Sequence, residues 1–200
     1  MSNDVPSQSE AADTPTLVEK VALYSFHPFT DTELATIAKA CEKDGYDNGG
    51  NEDFIAAAPK PHFTDSDGKV ESVIAYHRDL VKSPTDGPDG PVSYDPNYFI
   101  VVKSPQWKKE GVLVVTLNEF ELKEVPDDGE AVKRGWDAWM FTAKSSGLTI
   151  LNLQIANMGW TEYTTWDDDQ PEGQEVDGRD GKTWYEMHPE EPDEGERQQD

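Results

Sequence analysis

A single cysteine, Cys41, leaves no partner for an internal disulfide, so this chain folds without covalent staples. Basic residues are scarce as well: 17 Lys and Arg face 41 Asp and Glu, a formal charge of −24 over 200 residues. Such a balance excludes nucleic acid and anionic membrane surfaces as expected partners, because both are bound through Lys and Arg. It favours a basic protein partner, or simply solubility. Long apolar runs are missing, and nothing approaches the roughly 20 residues that cross a bilayer. Met1-Ser2-Asn3-Asp4-Val5-Pro6 has neither the basic and apolar regions of a secretory signal nor the arginines of a mitochondrial presequence. The expected location is a reducing compartment, cytoplasm or nucleus.

Motifs of familiar chemistry are absent too. There is no Gly-x-Ser-x-Gly elbow, no Lys-Ser/Thr after Gly49-Gly50 to make a P-loop, and no Gly-x-Gly-x-x-Gly turn. No cofactor is expected. Hydrophobic residues make up 35% of the chain, and the deficit lies at its ends and in its Asp/Gly/Pro loops. Residues 161–200 carry fifteen acids against three bases, half of the net charge in a fifth of the length. The reading is one α/β (or α+β) domain over residues 16–166, with a mixed β-sheet and two or three packed helices. A disordered lead occupies 1–15 and an acidic, mostly disordered tail occupies 167–200.

Local signals place the elements. Leu17–Tyr24 reads as a first strand. Thr30 and Glu33 have the spacing of a capping box, and Leu34, Ile37, Ala38 and Cys41 repeat with helical period up to Gly45, which is expected to stop the helix. Phe54–Ala58 reads as a short helix ended by Pro59. His62–Thr64 and Val70–Tyr76 read as strands around the turn Asp65-Ser66-Asp67-Gly68, and Thr85–Pro91 as a surface loop. Tyr98–Lys103 and Gly111–Asn118 are near-continuous Val, Ile and Leu, the pattern of central strands covered on both faces and joined as a hairpin. Phe120–Val125 alternates like a strand. Val132, Trp136, Trp139, Met140 and Ala143 fit a helix broken by Ser145-Ser146-Gly147, and Leu148–Ile155 is expected to be a strand running into a turn.

The run Asn152-Leu153-Gln154-Ile155-Ala156-Asn157-Met158-Gly159-Trp160, followed by Glu162 and Tyr163, resembles the C-terminal signature of the bacterial and fungal family "domain of unknown function 6924". Members of that family end in a Leu-x-x-Ala-Asn-Met-Asp-aromatic run after a Val/Leu-rich strand, here Val112–Leu117. The resemblance spans residues 17–165; its specific part is Ala156-Asn157-Met158, and Gly159 stands where an acidic residue is usual. It implies a compact α/β domain and brings no activity, substrate or catalytic residue.

Candidate chemistry is sparse. His27, His62, His77 and His188 are scattered without zinc-site spacing. His62, His77 and Asp79 form a weak tertiary metal candidate, since neighbouring strands would bring them together. Asp65–Glu71 lacks the glycine and glutamate positions of a calcium loop. Cys41, on an apolar helix stripe, reads as core. Trp136 and Trp139 on one helix would line an aromatic groove. In the tail, Thr183-Trp184-Tyr185-Glu186-Met187-His188 is an aromatic island at 183–188 that either docks back on its own domain or orders on a partner. The expected function is that of a non-enzymatic acidic binding protein, engaging a basic protein through Trp184, Tyr185 and Met187 or through Trp136 and Trp139. The alternative is a small carboxylate- or metal-dependent hydrolase at His62, His77 and Asp79.

Overall fold

The computed structural model describes residues 18–50, 52–66, 68–87, 90–127 and 129–165. The lead at 1–15, the tail and its aromatic island lie outside the described residues. Strand β1 (Val18–Ser25) leads into helix α1 (Asp31–Asp47), whose start forms as the sequence predicts. Thr30 Oγ1 accepts from the Glu33 amide at 3.3 Å, and the Thr30 amide donates to Glu33 Oε2 at 2.7 Å. Both orphan donors at the helix start are thereby satisfied. Leu34, Ile37, Ala38 and Cys41 are buried along one stripe.

Helix α1 crosses to β2 (Ile55–His62), which pairs parallel to β1. A 3-10 turn (Thr64–Ser66) and α2 (Val70–Leu80) then return the chain to β3 (Thr85–Gly87) and the long β4 (Gly90–Val102). A short α3 (Trp107–Glu110) joins β4 to β5 (Val112–Thr116). After α4 (Glu119–Leu122) and α5 (Glu130–Arg134) comes β6 (Asp137–Phe141), followed by α6 (Ala143–Gln154) and α7 (Trp160–Thr165).

The sheet order is β2-β1-β4-β5-β6, with β3 attached to β4. β1 runs parallel to β2 and β4, while β4-β5 and β5-β6 are antiparallel. Among the described residues this is a single mixed α/β domain with six strands and seven helices, three of them longer than ten residues. No helix among the described residues is long and apolar enough to cross a membrane.

Alternation along the strands divides the core into two layers. Val21, Leu23, Ile100, Val102, Val112 and Val114 face α1 and α6. Ala22, Tyr24, Phe99, Val101, Leu113 and Val115 face α2. The near-continuous apolar runs of β4 and β5 follow from this double coverage, and their hairpin forms as expected.

Several expectations are corrected. Gly45 does not stop α1; it sits inside the helix, where a Cβ would lie 3.0 Å from Leu151 Cδ1 of α6. Its role is close packing rather than termination. Likewise Ser145-Ser146-Gly147 does not break a helix but forms the face of α6 that meets α1: a Cβ at Gly147 would lie 2.4 Å from the Cys41 carbonyl oxygen. Leu148–Ile155 is therefore largely helix, not strand.

Phe54–Ala58 belongs to the approach and body of β2, at the sheet edge, where Pro59 and Pro61 are tolerated because an edge has one side without ladder bonds. Val70–Tyr76 is helix: Val70, Val73, Ile74 and His77 fall on one buried face, a 3.6-residue period that overrides the strand preference of β-branched residues. Thr85–Gly87 pairs with Gly90–Val92 as a small hairpin within the expected loop. Phe120–Val125 is not a strand; Asn118 Oδ1 accepts from the Phe120 amide at 3.0 Å and starts α4. The helix expected through Val132–Ala143 is split, because Gly135 takes a φ of 75° and ends α5 before β6 begins.

Candidate functional site

Among the described residues, those singled out from the sequence do not converge. His77 is completely buried, and both ring nitrogens are engaged. Its Nε2 lies 2.9 Å from the Asp95 carbonyl oxygen, an acceptor only, so Nε2 carries the proton. Nδ1 then accepts from the Tyr24 hydroxyl at 2.9 Å. The ring packs on Phe99 with centroids 4.5 Å apart. Burial pulls its pKa down to about 4, so it is neutral at physiological pH. His77 thus ties α2 to β1 and β4. Asp79 is exposed on the same helix, paired with Lys82 at 2.6 Å. His62 ends β2, its Nε2 enclosed without a hydrogen-bond partner among the described residues. No group of three His, Cys, Asp or Glu that could hold a metal ion occurs among the described residues.

Trp136 and Trp139 occupy opposite faces of the sheet rather than one groove. Trp139 is buried in the layer under α1 and α6. Trp136 is half-buried against the α2 layer, with the Arg134 guanidinium 5.0 Å from its ring. Trp184, Tyr185 and Met187 lie outside the described residues. Cys41 is buried, its thiol pushed up to about 12 by burial, which makes it a core group and not a nucleophile.

A different site emerges where β4 departs from regular pairing. Lys20 of β1 is opposite Tyr94, but Ala22 is opposite Phe99, so β4 carries extra residues between these points. Asp95 organises this bulge: its Oδ1 accepts from the Asn97 amide at 2.7 Å and the Tyr98 amide at 3.0 Å. Its carbonyl is held by His77 from one layer, and its Oδ2 accepts from the Gln154 side-chain amide of the other. Bulges of this kind re-aim side chains and open a strand pair.

Here the bulge opens a cleft of about 480 Å³ between the start of β1, the end of α6 and Asn118. That volume falls within the usual range for a ligand pocket, roughly 300–1,000 Å³. Its walls combine Phe54, Leu151 and Leu153 with the polar groups of Glu19, Asn97 and Gln154.

A polar chain runs from this cleft to the C-terminal helix. The Asn118 side-chain amide donates to the Tyr98 hydroxyl at 3.1 Å. Tyr98 also interacts with Glu121, and Glu121 Oε2 accepts from the Trp160 amide at 2.5 Å. The Trp160 indole is completely buried and donates to Asp137 Oδ2 at 2.6 Å; Asp137 Oδ1 in turn pairs with Arg134 at 2.6 Å.

Around Gly159, the carboxylates of Glu124 and Glu162 lie 3.5 Å, and that of Glu121 3.9 Å, from where a Cβ would stand. Burial, then repulsion from Glu124 and Glu162, raises the pKa of Glu121. Residues 152–160 thus form one wall of this corner. Ala156 takes a left-handed φ of 52° after α6, and Asn157 donates from its amide to the Asn152 carbonyl at 2.9 Å.

The chain matches no protein-family model, no curated protein and no solved structure. Function is therefore read from geometry. Phe120, 79% exposed with Lys123 Nζ 5.2 Å from its ring centroid, and Ile155, 73% exposed, are the most exposed large apolar side chains among the described residues. Sequence reasoning missed Asp95, Asn118, Phe120, Gln154 and Ile155. One signal was legible: Pro96, between Asp95 and Asn97 in a strand-like run, marks a bulge because proline cannot donate to a ladder.

Proposed function

We propose that this chain is a non-enzymatic acidic interaction protein that engages a basic protein partner, with Trp184, Tyr185 and Met187 of the tail as anchors. The observation that carries the reading is the distribution of charge. Helix α7 starts beside Glu121 and Glu162, and residues 161–200 of the sequence hold half of the net charge. Negative charge of this density steers a basic partner and raises its association rate, while a few aromatic side chains supply the lasting contact. Its test is affinity capture from native cell extract in moderate salt, comparing the full chain with the Trp184→Ala/Tyr185→Ala/Met187→Ala variant. The reading expects a basic protein retained by the full chain and depleted at least several-fold with the variant. Equal retention by both would remove the tail anchors.

A further inference from the structure

We infer that the cleft opened by the β4 bulge binds a free α-amino acid with an apolar side chain, its carboxylate met by Lys20, its ammonium by Glu19 and its side chain by Phe54, Leu151 and Leu153. This goes beyond the function proposed above and does not rest on it, since every residue of the site belongs to the folded domain.

The bulge is more than the sheet requires. Between the pairs Lys20–Tyr94 and Ala22–Phe99, two steps along β1 oppose five along β4. The extra residues are held in place by Asp95, which is buried: its oxygens accept from the Asn97 and Tyr98 amides and from the Gln154 side chain, while His77 holds its carbonyl. Burying an acid and interrupting a ladder both cost free energy, and a continuous strand would avoid both. What the bulge delivers in return is an opening of about 480 Å³, room for a small organic molecule, already shaped before anything enters.

The groups left over in the lining select the ligand. Asp95 is occupied by its donors, the Tyr98 hydroxyl lies between Asn118 and Glu121, and Asn118 Oδ1 caps α4. Among the described residues, the side chains of Glu19, Lys20 and Asn97 make no hydrogen bond and no ion pair, although all three line the cleft. Glu42 on α1 feels Lys20 only at longer range. Glu19 and Lys20 are successive strand residues, so their side chains diverge and do not neutralise each other. The cleft thus offers one cation and one anion, set apart, beside an apolar wall. A simple anion would be opposed by Glu19 and a simple cation by Lys20, whereas a molecule carrying both charges answers both. The Asn97 amide and Gln154 Oε1 add the donors and the acceptor that a carboxylate and an ammonium need once they leave water. Phe54, Leu151 and Leu153 then favour an apolar side chain over a polar one.

The test is a titration of the isotope-labelled full chain with L-leucine, L-methionine and L-phenylalanine in turn, followed by nuclear magnetic resonance at the side-chain amides of Asn97 and Gln154. The N-acetyl derivative of each amino acid lacks the ammonium, and the C-terminal amide lacks the carboxylate. The expected result is a saturable shift of both signals with at least one of the three, and at least a tenfold weaker Kd for either derivative of it. In Lys20→Met the amide should bind as well as the free amino acid, and in Glu19→Gln the N-acetyl form should; neither side chain is buried, so folding is not at risk. No saturable shift with any of the three, or equal binding of free and derivatised forms, would overturn the site. Unchanged discrimination in both variants would overturn the roles of Lys20 and Glu19. None of these results bears on capture of a basic partner by the tail, so the two readings fail separately.

Discussion

Replacing Gly147 by Ala will destabilise the domain, although helix propensity alone argues the reverse. In an exposed helix interior, Gly→Ala is worth about 1 kcal/mol in favour of Ala. Gly147 is buried in α6, however, and its absent side chain faces α1. A Cβ there would stand 2.4 Å from the Cys41 carbonyl oxygen, 3.2 Å from the Cys41 carbonyl carbon and 2.9 Å from Phe54 Cζ. The first two contacts are backbone, so no rotamer change relieves them, and α6 has to move away from α1. That movement loosens the contacts of Ile150 and Leu153 with the largest apolar layer. Overpacking of this kind costs about 3 kcal/mol, at the upper end of the usual range. Subtracting the propensity gain leaves about 2 kcal/mol of net destabilisation. For a domain of this size the melting temperature falls by about 4–8 °C. Thermal melts of the full chain followed by circular dichroism, with Lys144→Ala on the exposed face of α6 as control, read this directly. A Gly147→Ala chain that melts at or above the wild-type temperature would refute the close α1–α6 packing.

Three further outcomes follow from the buried polar groups. His77 has a folded pKa of about 4 against 6.5 when exposed, so between these values the unfolded chain binds more protons. Its contribution is complete above pH 6.5 and is lost as pH falls towards 4, by about 3 kcal/mol in all; urea unfolding should show a shallower loss between pH 6.5 and 4.5 in His77→Gln, and an identical slope would contradict the assignment. Glu121 is shifted the other way, so its ionisation costs stability as pH rises above the ordinary carboxylate range. Glu121→Gln keeps an acceptor for the Trp160 amide and should gain on wild type from pH 4 to 7, whereas parallel curves would count against repulsion by Glu124 and Glu162. Trp160→Phe keeps the ring but removes the donor to Asp137 Oδ2, whose other oxygen stays paired with Arg134, and should cost about 1–3 kcal/mol in chemical unfolding; unchanged stability would contradict a contribution from the indole hydrogen bond.

How much was legible depended on whether neighbours in sequence were also neighbours in space. The capping box of α1 and the β4-β5 hairpin were readable because their partners lie within a few residues of one another. The glycines misled for the opposite reason. Gly45 and Gly147 look like helix breakers, yet each is small to admit a distant helix, and no local pattern announces that contact. Val70, Val73, Ile74 and His77 have both a strand composition and a helical period, and packing of one face on β1 and β4 decided for helix. Trp136 and Trp139 fit a helical period by coincidence; the left-handed Gly135 intervenes and the strand alternation sends them to opposite layers. The cleft was the least legible feature. Its walls come from β1, β4, Asn118 and α6, and only Pro96 marked its place.

The most direct test of an acidic binding protein anchored by its tail is a titration of the isotope-labelled full chain with a peptide rich in Arg and Lys, followed by nuclear magnetic resonance. The indole of Trp184 reports on the tail. The account predicts a saturable shift of that indole, weakening as salt is raised. No saturable shift there, or shifts spread evenly over exposed carboxylates, would contradict it.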